Sequence, residues 1–122
     1  MKCNAYITVN EHEKCRRIAA VFAEFKREDD GIIITDAGKY GFVRLSYYNE
    51  AYGFGKSVCY TDSHTLFNAL WQDWLNEQLF QIALQKQSLM NMNYTDILQS
   101  LPEETRSALI ARRQYFAEKA GI

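Results

Sequence analysis

The chain has 122 residues, enough for one domain that buries a core without disulfides or a structural metal. Fourteen Lys and Arg residues against fifteen Asp and Glu residues give a net charge of -1, which argues against a protein that coats nucleic acid by bulk charge. Three cysteines without a C-x-x-C pair favour a reducing compartment. No stretch has the length of a transmembrane helix or the apolar core of a signal peptide. We therefore expect a cytoplasmic protein with no membrane partner.

The first part of the chain predicts a strand and then a helix. Apolar and polar residues alternate over residues 3–9, as in a half-buried strand. Asn10 is the expected N-cap of the helix, and residues 28–31 are expected to end it, with Gly31 as a left-handed C-cap. The apolar face of this helix comprises Cys15, Ile18, Ala19, Phe22 and Phe25.

Three strands are predicted next. Residues 32–35 are a β-branched run, residues 36–39 are a hairpin turn with Gly38 at a positive φ, and residues 40–48 are the second strand. After a connection at 49–55, the last strand occupies residues 56–60. Three strands joined by short links indicate an antiparallel meander.

The rest of the chain is predicted to be helical. The longest helix spans residues 61–86, is capped by Asp62 or Ser63, and has an apolar stripe interrupted at Gln78. A short helix follows at 95–101, with Thr95 as its expected cap. The last helix has Pro102 near its start and Gly121 at its end.

This pattern predicts a single α+β domain over residues 1–122, with the order β-α-β-β-β-α-α-α. It would have an antiparallel sheet of three to four strands with helices packed on one face, and a helical C-terminal segment at 88–122. The inward residues that we expect are Ile18, Phe22, Phe25, Ile33, Val43, Leu45, Leu70, Trp71 and Trp74. On the long helix, Leu66, Phe80 and Leu84 exceed what one sheet contact needs, which predicts a homodimer.

Alternation along residues 40–48 predicts a partner-binding face. If Val43 and Leu45 face the core, the aromatic side of the strand is open to solvent. Tyr and Arg are enriched in interface hot spots, and the following loop adds further rings. The predicted partner site comprises Tyr40, Phe42, Arg44, Tyr48, Tyr52 and Phe54. Two alternatives stay open: the rings only stabilise the sheet, or the helices cover this face instead.

Two other functions have weaker support. Arg106, Arg112 and Arg113 on the last helix form a basic patch that suits nucleic acid, although cations late in a helix are also favoured by its dipole. A small enzyme could use Cys59, His64 and Asp62 as nucleophile, base and orienting acid. A helix cap at Asp62 and a surface position for His64 explain those two residues more simply.

The sequence does not predict a metal site. His12 and Cys15 are three residues apart, and Cys3 and Cys59 lie on predicted strands, so four ligands for zinc are conceivable. Cys15, however, continues the apolar face of its helix, and structural zinc sites usually show tightly paired ligands. We expect no metal, no cofactor and no catalytic residue.

The order α-β-β-β-α over residues 11–86 resembles that of double-stranded RNA-binding domains. The resemblance implies duplex recognition by shape and by backbone contacts, with basic residues at the start of the second helix. The corresponding stretch here, TDSHTLFNALW, has no Lys or Arg. RNA binding is therefore kept only as an alternative.

The stretches GIIITDAGKYGFVRL, YTDSHTLFNALWQDWL and LPEETRSALIARRQYF together resemble short uncharacterised proteins carried by mobile elements of Gram-positive bacteria. The resemblance implies a small binding protein, such as an inhibitor of host defence of the anti-CRISPR kind or an accessory factor. The function that we expect is non-enzymatic protein binding.

Overall fold

The computed structural model describes residues 6–24, 32–49 and 53–122, with backbone alone at 47–49, 53 and 54. The fold is α+β, with a three-stranded antiparallel sheet and four α-helices. The elements are α1 (Val9–Ala23), β1 (Ile32–Asp36), β2 (Phe42–Asn49), β3 (Gly53–Tyr60), α2 (Ser63–Gln85), α3 (Tyr94–Ser100) and α4 (Glu103–Ala120).

The chain enters α1 earlier than the sequence pattern predicts. Thr8 is the N-cap, and its hydroxyl accepts a hydrogen bond of 3.1 Å from the backbone N–H of Glu11. The strand expected at 3–9 is therefore wrong for residues 6–9, because a threonine cap three residues before a glutamate favours a helix start over a strand. Residues 3–5 lie outside the described residues. The helix ends at Ala23. Phe25 and the helix stop expected at 28–31 lie outside the described residues.

The sheet has the order β1-β2-β3, with Arg44 of β2 opposite Ile34 and Val58. Gly38 has φ 63°, as predicted, and opens a single 3-10 turn between β1 and β2. Gly41 has φ 99°, and a Cβ there would lie 2.2 Å from the carbonyl oxygen of Tyr60. The turn therefore requires glycine at position 41 both for backbone conformation and for space.

Caps set the ends of the remaining helices. The Asp62 carboxylate accepts a hydrogen bond from the Thr65 N–H, which confirms the predicted cap of α2. Asn93, rather than Thr95, caps α3, and Pro102 is the N-cap residue of α4. Gly121 ends α4 in the left-handed conformation, as predicted.

The core lies mainly among the helices. Of the described strand residues, only Phe42 belongs to the buried cluster. Four of the predicted inward residues are confirmed as buried: Ile18, Phe22, Leu70 and Trp71. Trp74 is half-buried and packs against this cluster. The cluster comprises Cys15, Ile18, Val21, Phe22, Phe42, Leu66, Phe67, Leu70, Trp71, Leu75, Leu79, Ala83, Leu89, Ile97, Leu101, Phe116 and Ala120.

Three contacts at α1 and its C-cap residue Glu24 connect distant parts of the chain. The carboxylate of Glu11 accepts hydrogen bonds from the backbone N–H and the hydroxyl of Ser63, at 2.8 and 2.9 Å, so α1 is joined to the start of α2. Arg17 Nε donates to the carbonyl of Ala120 at 3.0 Å, and Lys119 pairs with Glu24 at 2.6 Å.

Within the described ranges, no helix combines the length and the apolar character that a membrane span requires.

Candidate functional site

The predicted partner face of the sheet points towards the helices and not towards solvent. Phe42 is 3% exposed, and its ring centroid lies 5.2 Å from that of His12 on α1. The alternation along β2 was predicted correctly, but the assignment of its faces was wrong: Phe42 and Arg44 point to the helices. Val43, Leu45 and Ile33 occupy the opposite face, where Ile33 is 43% exposed.

Arg44 is part of a bidentate ion pair between the sheet and α2. Its Nε and Nη2 donate to the two carboxylate oxygens of Asp73 at 2.6 and 2.7 Å, and its Nη1 donates to the Ser46 hydroxyl at 2.8 Å. The two side chains are only 16% and 22% exposed. Arg44 therefore connects the sheet to α2. The prediction that it is a solvent-facing anchor for a partner is wrong.

Tyr40 is the one predicted site residue whose described side chain is largely open to solvent, at 55% exposure. Its ring meets the Tyr6 ring edge-on, with 5.6 Å between the centroids. The Lys39 ammonium lies 5.0 Å from the Tyr6 centroid and 5.3 Å from the Tyr40 centroid. The side chains of Tyr48 and Phe54, and all of Tyr52, lie outside the described residues. Their assignment to a partner site stays a prediction.

The face of the sheet that points away from the helices has no charged residue among its described positions. The register places on it the described residues Ile33, Thr35, Val43, Leu45, Ser57 and Cys59. None of these six is charged, whereas the helix-facing side holds Asp36, Arg44 and Lys56. We call these six residues the outer sheet face.

The three arginines of the predicted basic patch take part in intramolecular contacts. Arg106 Nη1 donates to carbonyls at the end of α3, and Arg113 donates to the Asn68 side chain and lies over the Phe67 ring. Arg112 lies 4.6 Å from the ring centroid of Tyr115. Arg106 and Arg113 thus connect α4 to its neighbours and Arg112 packs on an aromatic ring, so the observed geometry does not favour a patch for phosphates.

A shallow groove lies between α2 and α4 in the described parts of the chain. Its volume is about 550 Å³, and most of it is open to solvent. Its lining residues are Trp74, Gln78, Glu104, Thr105, Ala108, Leu109 and Arg112. We call it the α2–α4 groove.

Aromatic packing fixes the wall of this groove. The Trp74 ring stacks on Trp71 at 5.4 Å and meets Phe116 edge-on at 5.1 Å, which holds one indole face at a set angle. The Arg112 guanidinium lies 5.9 Å from the Trp74 centroid and 5.2 Å from that of Phe116. A cation over aromatic faces is stabilised by the ring quadrupoles and loses little freedom on binding.

The proposed catalytic residues do not converge. The Cys59 thiol donates to the carbonyl of Tyr40 at 3.0 Å, Asp62 caps α2, and His64 lies 3.3 Å from the Asn68 side chain. Among the described residues, no hydrogen bond joins Cys59 to His64 or Asp62. The Cys59 thiol and the His64 ring therefore have other partners, and Asp62 interacts with the backbone of His64 as the cap of α2.

The side chains that the sequence offers as metal ligands have other roles. His12 Nε2 lies 2.9 Å from the carboxylate of Asp36, and Cys15 is fully buried in the core. Burial raises the pKa of the Cys15 thiol to about 11, which opposes the thiolate that a metal needs. Cys3 lies outside the described residues, and within the described residues there is no group of three or more His, Cys, Asp and Glu that could hold a metal.

Comparison of the chain with protein-family models, curated proteins and solved structures gave no match. The α2–α4 groove was missed at the sequence level, although two signals pointed to it. Gln78 interrupts the apolar stripe of the long helix, and Leu109 lies between charged residues on α4.

Proposed function

We propose that the chain is a small non-enzymatic protein-binding module and that the α2–α4 groove receives its partner. The observation that carries this proposal is the pairing of Trp74 with Arg112 in one concave site. Trp and Arg are the residues most enriched in binding hot spots, particularly where they are held in place before the partner arrives. Leu109 and Ala108 supply apolar wall beside them.

The charges of the site support a protein partner over nucleic acid. Glu104 lines the groove together with Arg112, so the lining carries one residue of each sign. A phosphate backbone would be repelled by the carboxylate and would need several cations in a row. The net charge of -1 supports the same conclusion.

Comparative affinity capture tests the proposal with two matched variants. Ala108→Arg places a long side chain in the groove, whereas Ala111→Arg adds the same side chain at an exposed position of α4 outside the groove lining. Arginine is a good helix former, so both variants should keep α4. Captures from cells that encode the chain are then compared by quantitative mass spectrometry.

We expect wild type and Ala111→Arg to enrich the same protein, and Ala108→Arg to lose it. A partner retained by all three proteins would place the interface elsewhere. If wild type enriches no protein over a blank matrix, the function itself is contradicted. Circular dichroism of each variant checks that the fold is intact.

The outer sheet face is a second candidate surface, favoured by its lack of charge and by its position beside Tyr40. Leu45→Lys introduces a charge at its centre without touching the groove. Loss of the captured protein in Leu45→Lys, but not in Ala108→Arg, would move the binding site to the sheet. A role as an inhibitor or accessory factor of a mobile element, and a cytoplasmic location, are hypotheses based on sequence alone.

A further inference from the structure

The two charged residues of the α2–α4 groove are spaced along one helix. Glu104 and Arg112 both line the groove from α4, and they are two turns apart, or about 12 Å along the helix axis. Thr105, Ala108 and Leu109 line the groove between them. The groove therefore has an acidic end, an apolar middle and a basic end.

The opposite wall adds one aromatic and one amide side chain. Trp74 and Gln78 of α2 are four residues apart and so lie on the same side of that helix. Trp74 lies beside Arg112. Apolar side chains of an occupant would thus meet Leu109 in the middle of the groove and the indole towards its basic end.

We propose that this groove binds an amphipathic helix of the partner protein, lying antiparallel to α4. An acidic residue of that helix would face Arg112, and a basic residue two turns later would face Glu104. Apolar residues between them would enter the groove. The inference deepens the proposed function and rests on it.

Helix electrostatics determine the direction of the partner. Acidic residues are favoured near the start of a helix and basic residues near its end. α4 follows this rule, with Glu103 and Glu104 in its first turn and Lys119 in its last. A partner helix that also follows it can match both Arg112 and Glu104 only when it runs antiparallel to α4.

The open shape of the groove favours a helix laid along it over an enclosed small molecule. A helix in a groove buries side chains from one stripe and leaves its other faces in water. The groove volume of about 550 Å³ accommodates the anchoring side chains of such a stripe while the backbone stays outside.

Two stapled synthetic peptides of equal helicity test the inference on the full chain. Both carry the same apolar residues in the middle. The acid-first peptide has Asp before them and Lys after them, and the base-first peptide has the two exchanged. Fluorescence anisotropy of labelled peptide measures each Kd. We expect the acid-first peptide to bind wild type about threefold to fivefold more tightly, the size of effect that exposed charge pairs give.

Glu104→Lys should abolish that preference, because the basic end of the acid-first peptide would then meet a like charge. Glu103→Lys is the matched control: it makes the same change in the same turn of α4, outside the groove lining, and should leave the preference as in wild type. Arg112 is left unchanged, because its side chain packs on three rings and its loss would perturb the fold.

Equal binding of the two peptides to wild type overturns the antiparallel arrangement. The arrangement is also overturned if Glu103→Lys and Glu104→Lys reduce the preference for the acid-first peptide to the same extent. If neither peptide binds at millimolar concentration, the helical partner is excluded. In that case a captured protein that depends on Ala108 would still support the proposed function, so the two failures can be told apart.

Discussion

Arg44 crosses from the sheet to α2, and its planar guanidinium matches the two oxygens of Asp73. A bidentate pair of this kind is both stronger and more directional than a single contact. Because the pair is mostly shielded from water, its loss leaves a carboxylate with few alternative partners.

Arg44→Ala should therefore lower the free energy of unfolding by about 2 kcal/mol, as expected for hydrogen bonds to a charged group. Urea unfolding at neutral pH measures this change. Arg16→Ala is the control, because Arg16 pairs with Glu13 on the surface and should cost less than about 1 kcal/mol. Equal losses in the two variants would show that the Arg44–Asp73 pair contributes no more than a surface pair.

Trp71 is the largest buried side chain on α2, at 8% exposure, and it stacks on Trp74. Trp71→Ala should cost about 3–5 kcal/mol, since it removes a buried ring and leaves a cavity. Tyr40→Ala, at an exposed ring, should cost less than about 1 kcal/mol. A small loss for Trp71→Ala in denaturant unfolding would contradict the helical core described above.

At the scale of elements, the first turn of α1 depends on ionised carboxylates. Hydrogen bonds from the backbone and hydroxyl of Ser63 hold the pKa of Glu11 below its ordinary value. Hydrogen bonds from His12 and from the Gly38 N–H do the same for the pKa of Asp36. A depressed pKa in the folded state stabilises the fold above the unfolded pKa, and this contribution is lost as the pH falls through the folded value.

Stability should consequently decline below about pH 4, where unfolded Asp and Glu begin to bind protons. Glu11→Gln keeps an oxygen acceptor for Ser63 but does not titrate, so its stability should fall less steeply in that range. Thermal unfolding followed by circular dichroism from pH 6 to about pH 3 compares it with wild type. Glu103→Gln serves as the control at an exposed position. Parallel curves for Glu11→Gln and wild type would exclude the proposed role of Glu11.

Local patterns predicted the three strands and four helices that the structure describes, because turns and periodicity act over a few residues. The strand expected over residues 6–9 and the caps expected at Asn10 and Thr95 were wrong. Asp62, Gly38 and Gly121 each have the predicted role. The covered face of the sheet was assigned wrongly, since alternation along a strand does not tell which of its two sides is covered. Contacts with residues distant in sequence select it: Phe42 packs against His12, and Arg44 pairs with Asp73. The α2–α4 groove depends likewise on how two distant helices pack, which periodicity does not specify.

In the molecule as a whole, few fully buried side chains attach the described part of the sheet to the helices. Phe42 is its one described side chain in the buried cluster, and Ile34 and Tyr60 are half-buried against that cluster. The Arg44–Asp73 and His12–Asp36 pairs add polar attachments. Segments with few buried apolar contacts open at lower free energy than the core.

Amide hydrogen exchange should therefore be faster in β1, β2 and β3 than in the middle of α2. Phe42→Ala should increase the difference, because it removes the main apolar attachment of the sheet. Mass spectrometry of peptic fragments resolves these segments. Ile33→Ala, at an exposed position on the outer sheet face, is the control and should leave strand exchange nearly unchanged. Equal protection of strands and α2 would show that the two layers unfold together.

Self-association through the apolar surplus of α2 stays a prediction. Leu66 is fully buried and so cannot contribute to the dimer surface, whereas Phe80 and Leu84 are 41% and 52% exposed on successive turns of α2. We expect light scattering to show concentration-dependent dimers that Leu84→Lys weakens. Gln85→Lys, an exposed neighbour, is the control. A monomer at all concentrations up to about 100 μM, the range of weak interfaces, would contradict the homodimer.

The hydrogen bond from Arg17 to Ala120 joins residues 103 positions apart. On a translating ribosome, α1 is made first but cannot complete this contact until the end of α4 has been synthesised. At bacterial and eukaryotic rates of about 5–20 residues per second, that interval is roughly 5–20 s. Throughout it, the apolar face of α1 around Ile18 and Phe22 lacks its α4 partner and is exposed to chaperones. The nascent chain is thus expected to be more prone to aggregation than the finished protein.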